Sequence, residues 1–480
     1  MTDTRETLQH DSVQESLKRV VDLLHKHEIV ESLVHKQDMP RHDLIQQLVH
    51  KQNLAELHKT LDALHPADVA YILEALPLDQ RLVVWDLVRA ERDGEILLEV
   101  SDAVRESLIA SMDSDELKAA AEQLDTDELA DLAPDLPQEV IQEVFQSLDQ
   151  EEQAQLQSAL SFPEGTVGAL MDFDMIAIRE DVTLEKVLAD LRQLGELPSH
   201  TDKLFVVDGK ERLCGVLPIK RLLLHNPETL VAAVMADDPV IFNGSDKASD
   251  AASAFERYDL VTAPVVDAHD KLIGRLTVDE VMDFLREEAE SDVLAMAGLR
   301  EEEDMFASVW KSMQNRWAWL AVNLVTAFIA SRVIGVFEGS IEKIVALAAL
   351  MPIVAGIGGN SGNQTITMIV RGLALGQLHP SSMRKLFIKE VGVSLMNGLI
   401  WGSILGLLSW LLYQNAALGL VMTGAMMLNL LLAAIMGVLI PLAMHKSGRD
   451  PALGSSVLIT AVTDSGGFFI FLGLATLFLL

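Results

Sequence analysis

A carboxylate in the middle of an apolar segment is the first residue here able to do chemistry. Asp464 lies in Thr460-Ala461-Val462-Thr463-Asp464-Ser465-Gly466-Gly467, with no basic residue near it in sequence. An ionised group at membrane depth is costly unless it meets water, a cation or a partner. A protonated, structural Asp is the alternative, but the hydroxyls and paired glycines around Asp464 point to hydrated, closely packed surroundings. The second constellation is Gly356, Gly358-Gly359-Asn360-Ser361-Gly362-Asn363-Gln364-Thr365-Ile366-Thr367. Asn360, Asn363, Gln364 and Thr367 follow i, i+3, i+4, i+7 spacing, which on a helix makes one stripe of neutral oxygen donors. The glycines let other helices come close. Amides in membrane helices also serve as plain interhelical glue; a four-residue stripe fits a pore lining better.

These donors suit a hard divalent cation. Mg²⁺ gives up water reluctantly and is usually held by one or two carboxylates with much of its shell retained, whereas Ca²⁺ recruits a denser oxygen cage. One Asp per chain, joined by amide, hydroxyl and carbonyl oxygens, fits Mg²⁺. In a two-fold homodimer the two copies of Asp464 would meet on a shared path.

The elements that must hold these residues are membrane helices. Apolar runs at 317–336, 344–370, 390–413, 416–444 and 452–480 are each long enough to cross a bilayer, which takes about 20 residues. By these boundaries Asp464 is the only acid deep within a span. Lys311 and Arg316 precede the first span; Arg371, Arg384, Lys385 and Lys389 lie between the second and third, and Lys446 and Arg449 between the fourth and fifth. The excess of Lys and Arg at these ends places the N-terminal region in the cytosol and the C-terminus on the outer side of the cell membrane. Trp310, Trp317 and Trp319 form an interfacial belt, and Arg332 snorkels.

Charge divides the chain. Of 37 basic and 71 acidic residues, 8 and 5 lie from Trp317 onward, so 29 and 66 precede it, a net of −37 in the first two-thirds. Such a surface repels nucleic acid and attracts cations. Cys214 is the only cysteine, which excludes an intramolecular disulfide; its apolar neighbours suggest a buried, inert thiol. The acidic N-terminus is no cleavable signal peptide. There is no phosphate loop or nucleophile–base pair to suggest an enzyme.

Residues 1–165 read as short helices in a small superhelix. Leu76-Pro77 and Leu136-Pro137 each open an apolar periodic segment, with Trp85 and Phe145 eight residues after their prolines. His25, His27, His35, His42, His50 and His58 sit among polar neighbours and read as solvated helix faces. Residues 166–290 are duplicated: Phe205-Val206-Val207-Asp208 precedes Leu213-Cys214-Gly215, and Pro264-Val265-Val266-Asp267 precedes Leu272-Ile273-Gly274. This resembles a tandem pair of α/β CBS domains, which often bind adenine nucleotides through a Thr or Ser followed three residues later by Asp. The corresponding pairs here are Thr277 with Glu280 and Pro218 with Arg221, and both depart from that pattern. An adenine nucleotide is thus one expected partner of the pair, and a structural or ion-sensing role is the other reading.

A dense acidic run follows. It comprises Asp279, Glu280, Asp283, Glu287, Glu288, Glu290 and Asp292, then Glu301, Glu302, Glu303 and Asp304. Glu280, Asp283 and Glu287 share one helical face, and Asp259 in the preceding loop is placed to join them. A solvated face is the plain reading of such a run; beside a pore it would gather Mg²⁺.

Taken together the chain resembles the MgtE family of magnesium channels and transporters. The resemblance is carried by Gly359-Asn360-Ser361-Gly362-Asn363-Gln364, by Arg316-Trp317 with Asn323, by Phe337-Glu338 with Glu342, by Phe387-Ile388-Lys389-Glu390, and by Pro66-Ala67-Asp68-Val69-Ala70. It implies a mainly α fold: an acidic all-α superhelical domain (1–165), a tandem CBS pair (166–290), a linker or plug helix (291–315) and a five-helix transmembrane domain (316–480). It also implies a homodimer in the lipid bilayer, with Asp464 as the selectivity carboxylate, Asn360, Asn363 and Thr367 along the path and the Thr460 carbonyl nearby. Asp259, Asp279, Glu280, Asp283, Glu288 and Asp292 would then sense cytosolic Mg²⁺ and close the pore. The rival expectations are a CBS-regulated carrier of another substrate, such as Co²⁺ or an organic solute, and a membrane-anchored nucleotide sensor that moves nothing.

Overall fold

A computed structural model describes residues 13–34, 54–299, 304–374, 378, 380–449, 451 and 454–480. Of the residues discussed above, His35, His42, His50 and Glu301 to Glu303 lie outside this set. The chain forms two compact units, one from Met1–Glu288 with Asp304–Ala307 and one from Ala289–Glu303 with Ser308–Leu480.

The first unit begins with a 22-residue helix, Val13–Val34, and continues with short helices whose starts follow from their residues. Asp113, Asp125 and Asp149 each form a capping box with a Glu three positions on, satisfying backbone donors that a helix start leaves open. Pro77 and Pro137 sit at the N-caps of Leu78–Trp85 and Gln138–Ser147, as the repeated Leu-Pro suggests. Val69, Ile72, Leu73, Val84, Leu97 and Leu108 are fully or almost fully buried in a common core. His58 faces solvent and pairs with Asp62 at 3.0 Å.

Two three-stranded sheets follow. β1 (Ala177–Arg179), β2 (Lys203–Val207) and β3 (Leu213–Pro218) form one; β4 (Phe242–Asn243), β5 (Thr262–Val266) and β6 (Leu272–Thr277) form the other. The first pair in each is parallel and the second antiparallel. Asp208 accepts from the Lys210 and Arg212 amides, and Asp267 from those of His269 and Lys271. Each Asp therefore shapes its hairpin, which explains its recurrence. The recurring glycine has a steric cause: a Cβ on Gly215 would strike the Ala236 carbonyl oxygen, and one on Gly274 would lie 3.0 Å from that of Asp172. Cys214 is half-exposed rather than buried because its strand end reaches the surface; desolvation and the charges of Glu180 and Asp208 push its thiol up, keeping it inert.

From the second sheet runs α1 (Val278–Ala297). The long helices after it are α2 (Val309–Val336), α3 (Ala346–Ala374), α4 (Pro380–Tyr413), α5 (Ala416–Lys446) and α6 (Ser455–Leu479), with a short helix at Glu338–Lys343 between α2 and α3. Four of them, α2, α4, α5 and α6, are long and apolar enough to cross a membrane. α3 is as long, at 29 residues, but Asn360, Asn363 and Gln364 lower its hydropathy. α2 starts earlier than its apolar run because Ser308 caps it, accepting from the Lys311 amide. α4 starts ten residues earlier, at Pro380, so Arg384, Lys385, Lys389 and Glu390 are helical. Glu390 is only 6 % exposed, so Asp464 is not the sole acid held within these helices. Glu390 pairs with Lys389 at 3.3 Å, with the Thr365 hydroxyl 3.5 Å away. Buried pairing hides from the sequence because it depends on which helix lies opposite.

Within the first unit, Arg81 is wholly buried. It donates to the carbonyls of Leu73 and Leu76, to Ser107, and through both terminal nitrogens to Asp304 at 2.8 and 3.1 Å. Asp304 also accepts from the Phe306 amide, four residues before the Ser308 cap. Removing the carboxylate strands a buried guanidinium, so Asp304→Ala is expected to destabilise the first unit by about 3–5 kcal/mol. The exposed Lys118–Glu143 pair should give less than about 1 kcal/mol when broken. Thermal unfolding of the solubilised full chain measures both.

Candidate cation pathway and acidic cleft

The sequence stripe forms on α3 as read. Asn360, Gln364 and Thr367 are exposed on the protomer, Asn363 is half-buried, and no hydrogen bond is formed by the amides of Asn360 and Gln364 among the described residues. The Asn363 Oδ1 is buried without a donor. The Thr367 hydroxyl donates to the Asn363 carbonyl at 2.9 Å, which fixes its rotamer and leaves oxygen lone pairs on the stripe. Pro352, Ile353 and Gly356 continue the exposed face toward the start of α3.

The glycines between stripe positions point at α6. A Cβ on Gly359 would lie 3.6 Å from the Thr463 hydroxyl, and one on Gly362 would collide with Ile459. Close approach therefore brings the stripe helix beside the residues flanking Asp464. Asp464 is half-buried, and its carboxylate makes no ion pair or hydrogen bond to another described residue. Thr463 is fully buried, its hydroxyl donating to the Ile459 carbonyl at 2.9 Å and toward that of Thr460 at 3.2 Å. The Thr460 side chain is exposed and donates to the Ser456 carbonyl. Stripe and carboxylate thus share one helix pair.

The cytosolic acids are only partly united. Desolvation, then the charges of Asp131 and Asp127, push the Glu280 carboxyl up to about 8. Asp127, desolvated and close to Asp172, rises to about 7. Asp93 also rises to about 7, through desolvation and the charges of Glu116 and Glu91. The helical domain thus turns Asp127 and Asp131 toward Glu280 on α1, making an acidic cleft in which Arg105 also acts on Asp131 and Glu287. Asp127 and Asp131 were missed in the sequence. Their i, i+4 spacing in the short helix Thr126–Leu132 reads as an ordinary solvated face, and only the fold sets them against Glu280.

Asp279 is held otherwise: one oxygen pairs with His200 at 3.1 Å, and Oδ1 is buried without a donor. Asp283 pairs with Arg286 at 3.3 Å, and Glu288 is exposed. Asp259 ends the helix Ala248–Tyr258 in the left-handed conformation (φ 51°), which Asp tolerates better than most residues, and its side chain is exposed. Asp292 belongs to the second unit and is half-buried. Among the described residues no three His, Cys, Asp or Glu side chains converge enough to hold a metal directly.

Between the two sheets lies a cavity of about 360 Å³ lined by Asp202, Lys203, Pro218, Lys220, Val240 and Thr262 among others. Arg221 does not reach into it: the guanidinium donates to the Val234 and Met235 carbonyls at 2.8 and 2.9 Å. Thr277 is buried in its strand.

Comparison with known proteins bears on each part. Residues 351–474 match the MgtE family, described as a divalent cation transporter; residues 64–165 match the MgtE intracellular N domain, and 167–227 and 231–287 match CBS domains. The magnesium transporter MgtE of Thermus thermophilus is 30% identical over 433 residues, 88% of this chain and 95% of that protein. That of Bacillus subtilis is 28% identical over 424 residues, 88% of this chain and 94% of that protein. A crystal structure of the cytosolic domain of the Mg²⁺ channel MgtE in complex with ATP is 28% identical and covers 50% of this chain and 98% of that one, with a TM-score of 0.45. With the three regions in this order and a 30% identical relative matched along almost its whole length, the chain belongs to the MgtE family of divalent cation transporters.

Proposed function

We propose that the protein is a homodimeric, multi-pass Mg²⁺ channel-like transporter of the cell membrane, closed by cytosolic Mg²⁺. The observation that carries the reading is the stripe of Asn360, Gln364 and Thr367, exposed on one protomer and packed through Gly359 against the helix of an unpaired Asp464. Polar oxygens left open on an apolar helix bundle need water, an ion or a second subunit. A two-fold axis along this face would supply all three. The names of the relatives support magnesium as cargo over Co²⁺ or an organic solute.

Gating follows from the acidic cleft. With little Mg²⁺ the carboxylates repel one another; with abundant Mg²⁺, hydrated ions offset the charge and favour the closed arrangement. The ion shifts the equilibrium only by its greater affinity for that arrangement. Charge at the cleft supports this reading, since Glu280 and Asp127 sit among like charges. An adenine nucleotide is proposed as a second regulator, because Lys203 and Lys220 border the cavity between the sheets beside apolar walls. The phosphates would meet the lysines.

Four outcomes test the proposal. Purified Asp464→Ala protein in liposomes should lose Mg²⁺ flux by about tenfold or more; parental rate and selectivity would place the transport site elsewhere. Competition by Co²⁺ in the same assay reads out cargo preference. Replacing Asp279, Glu280, Asp283 and Glu288 together by alanine should leave flux insensitive to internal Mg²⁺, and unchanged inhibition rejects the gating scheme. The pH dependence has a definite sign. A carboxyl raised from 4.5 to about 8 stabilises the fold while protonated, and that contribution is lost as pH rises through this window. Metal-free protein should therefore lose thermal stability between about pH 5 and 8, Mg²⁺ should restore it most at the upper end, and Glu280→Gln should flatten the profile.

A further inference from the structure

Behind the helix pair that carries the stripe and Asp464 stands a polar side chain that neither the sequence pattern nor the transport reading assigns. Asn429, in the middle of α5, is 0 % exposed. Its Nδ2 donates to the Val354 carbonyl of α3 at 2.9 Å. A Cβ on Gly358 of α3 would collide with the same amide, and one on Gly467 of α6 would lie 2.7 Å from Nδ2. The amide is therefore wedged between two glycine surfaces, one on each helix. Gly358 directly precedes Gly359-Asn360, and Gly467 lies one turn after Asp464.

The other end of the amide is what separates Asn429 from ordinary packing. Oδ1 is buried and accepts from no donor among the described residues. A buried acceptor left open costs stability, so a side chain present only for packing gains nothing from it. Neighbouring contacts are apolar: Ala425, Met426, Leu430 and Ala433 on the same helix are all buried. An amide here does what an apolar side chain cannot, bonding the α3 backbone while being thin enough to sit between two glycines.

We propose that Asn429 is a positioning residue for ion selection: it sets the separation and rotation of α3 relative to α6, and hence the distance between the stripe oxygens and the Asp464 carboxylate. The inference rests on the transport reading above. A cation that keeps its water tolerates little error in the spacing of the oxygens around its shell, and a site needs its supporting contacts fixed to a fraction of an ångström. Ca²⁺ is more forgiving of geometry.

The test is Asn429→Leu in the full chain in liposomes, which keeps the heavy-atom skeleton but removes the bond to Val354. Mg²⁺ flux per folded dimer should fall by about tenfold, with discrimination against Ca²⁺ reduced in proportion. Asn429→Ser, which retains a donor, should lie closer to the parent in selectivity. Parental selectivity in the Leu variant overturns the proposal, as does a loss of flux that merely follows the amount of folded protein. Should the Leu variant not assemble, Gly467→Ala decides, because it displaces the amide from the other side and must shift the same ratio. Asp464→Ala in parallel separates the two readings: if it conducts normally the transport site is wrong, and if it fails while Asn429→Leu retains selectivity only the positioning role is lost.

Discussion

An ionisable side chain inside apolar helices needs a counter-charge, a cation or water. Asp464 makes no ion pair or hydrogen bond among the described residues, while the other acid within the membrane helices, Glu390, is buried against Lys389 and Thr365. The contrast separates two uses of one functional group. A paired, enclosed carboxylate holds helices; an unpaired one at the edge of a polar stripe is available to a cation. Gly362 of α3 follows from this need, because a Cβ there would collide with Ile459 of α6, whereas one on Gly359 would make ordinary contact with Thr463.

The cytosolic unit repeats the imbalance in water. Glu280 and Asp127 are raised because they are desolvated among charges of their own sign, so the fold is held together against its own electrostatics. A cation entering there would offset this repulsion, and on that the proposed sensing role rests. Elsewhere in the unit opposite charges are matched with care. Arg275 pairs with Asp172, and Arg81 with Asp304, each almost fully enclosed.

Asn429 links the two themes. Its amide bonds the α3 backbone at one end and is unmatched at the other, between glycines of two helices. Selectivity for a strongly hydrated ion needs oxygens at fixed separation more than it needs many oxygens, and this contact fixes a separation without adding a charge near the path.

Much of this was legible in the residues themselves. Periodicity 3.6 and run length revealed the membrane helices, and the stripe Asn360, Asn363, Gln364, Thr367 was visible because a helix converts i, i+3, i+4, i+7 spacing into one face. The hairpin duplication was visible because Asp208 and Asp267 act on their own neighbouring amides. What stayed hidden was every relation between distant segments. Asp127 and Asp131 meeting Glu280, Arg81 reaching Asp304 across 223 positions, Glu390 enclosed by α3 and Asn429 between Gly358 and Gly467 are all set by packing. Local geometry is written in spacing along the chain; the partner of a buried polar group depends on which surfaces come together, and only the tertiary structure decides that.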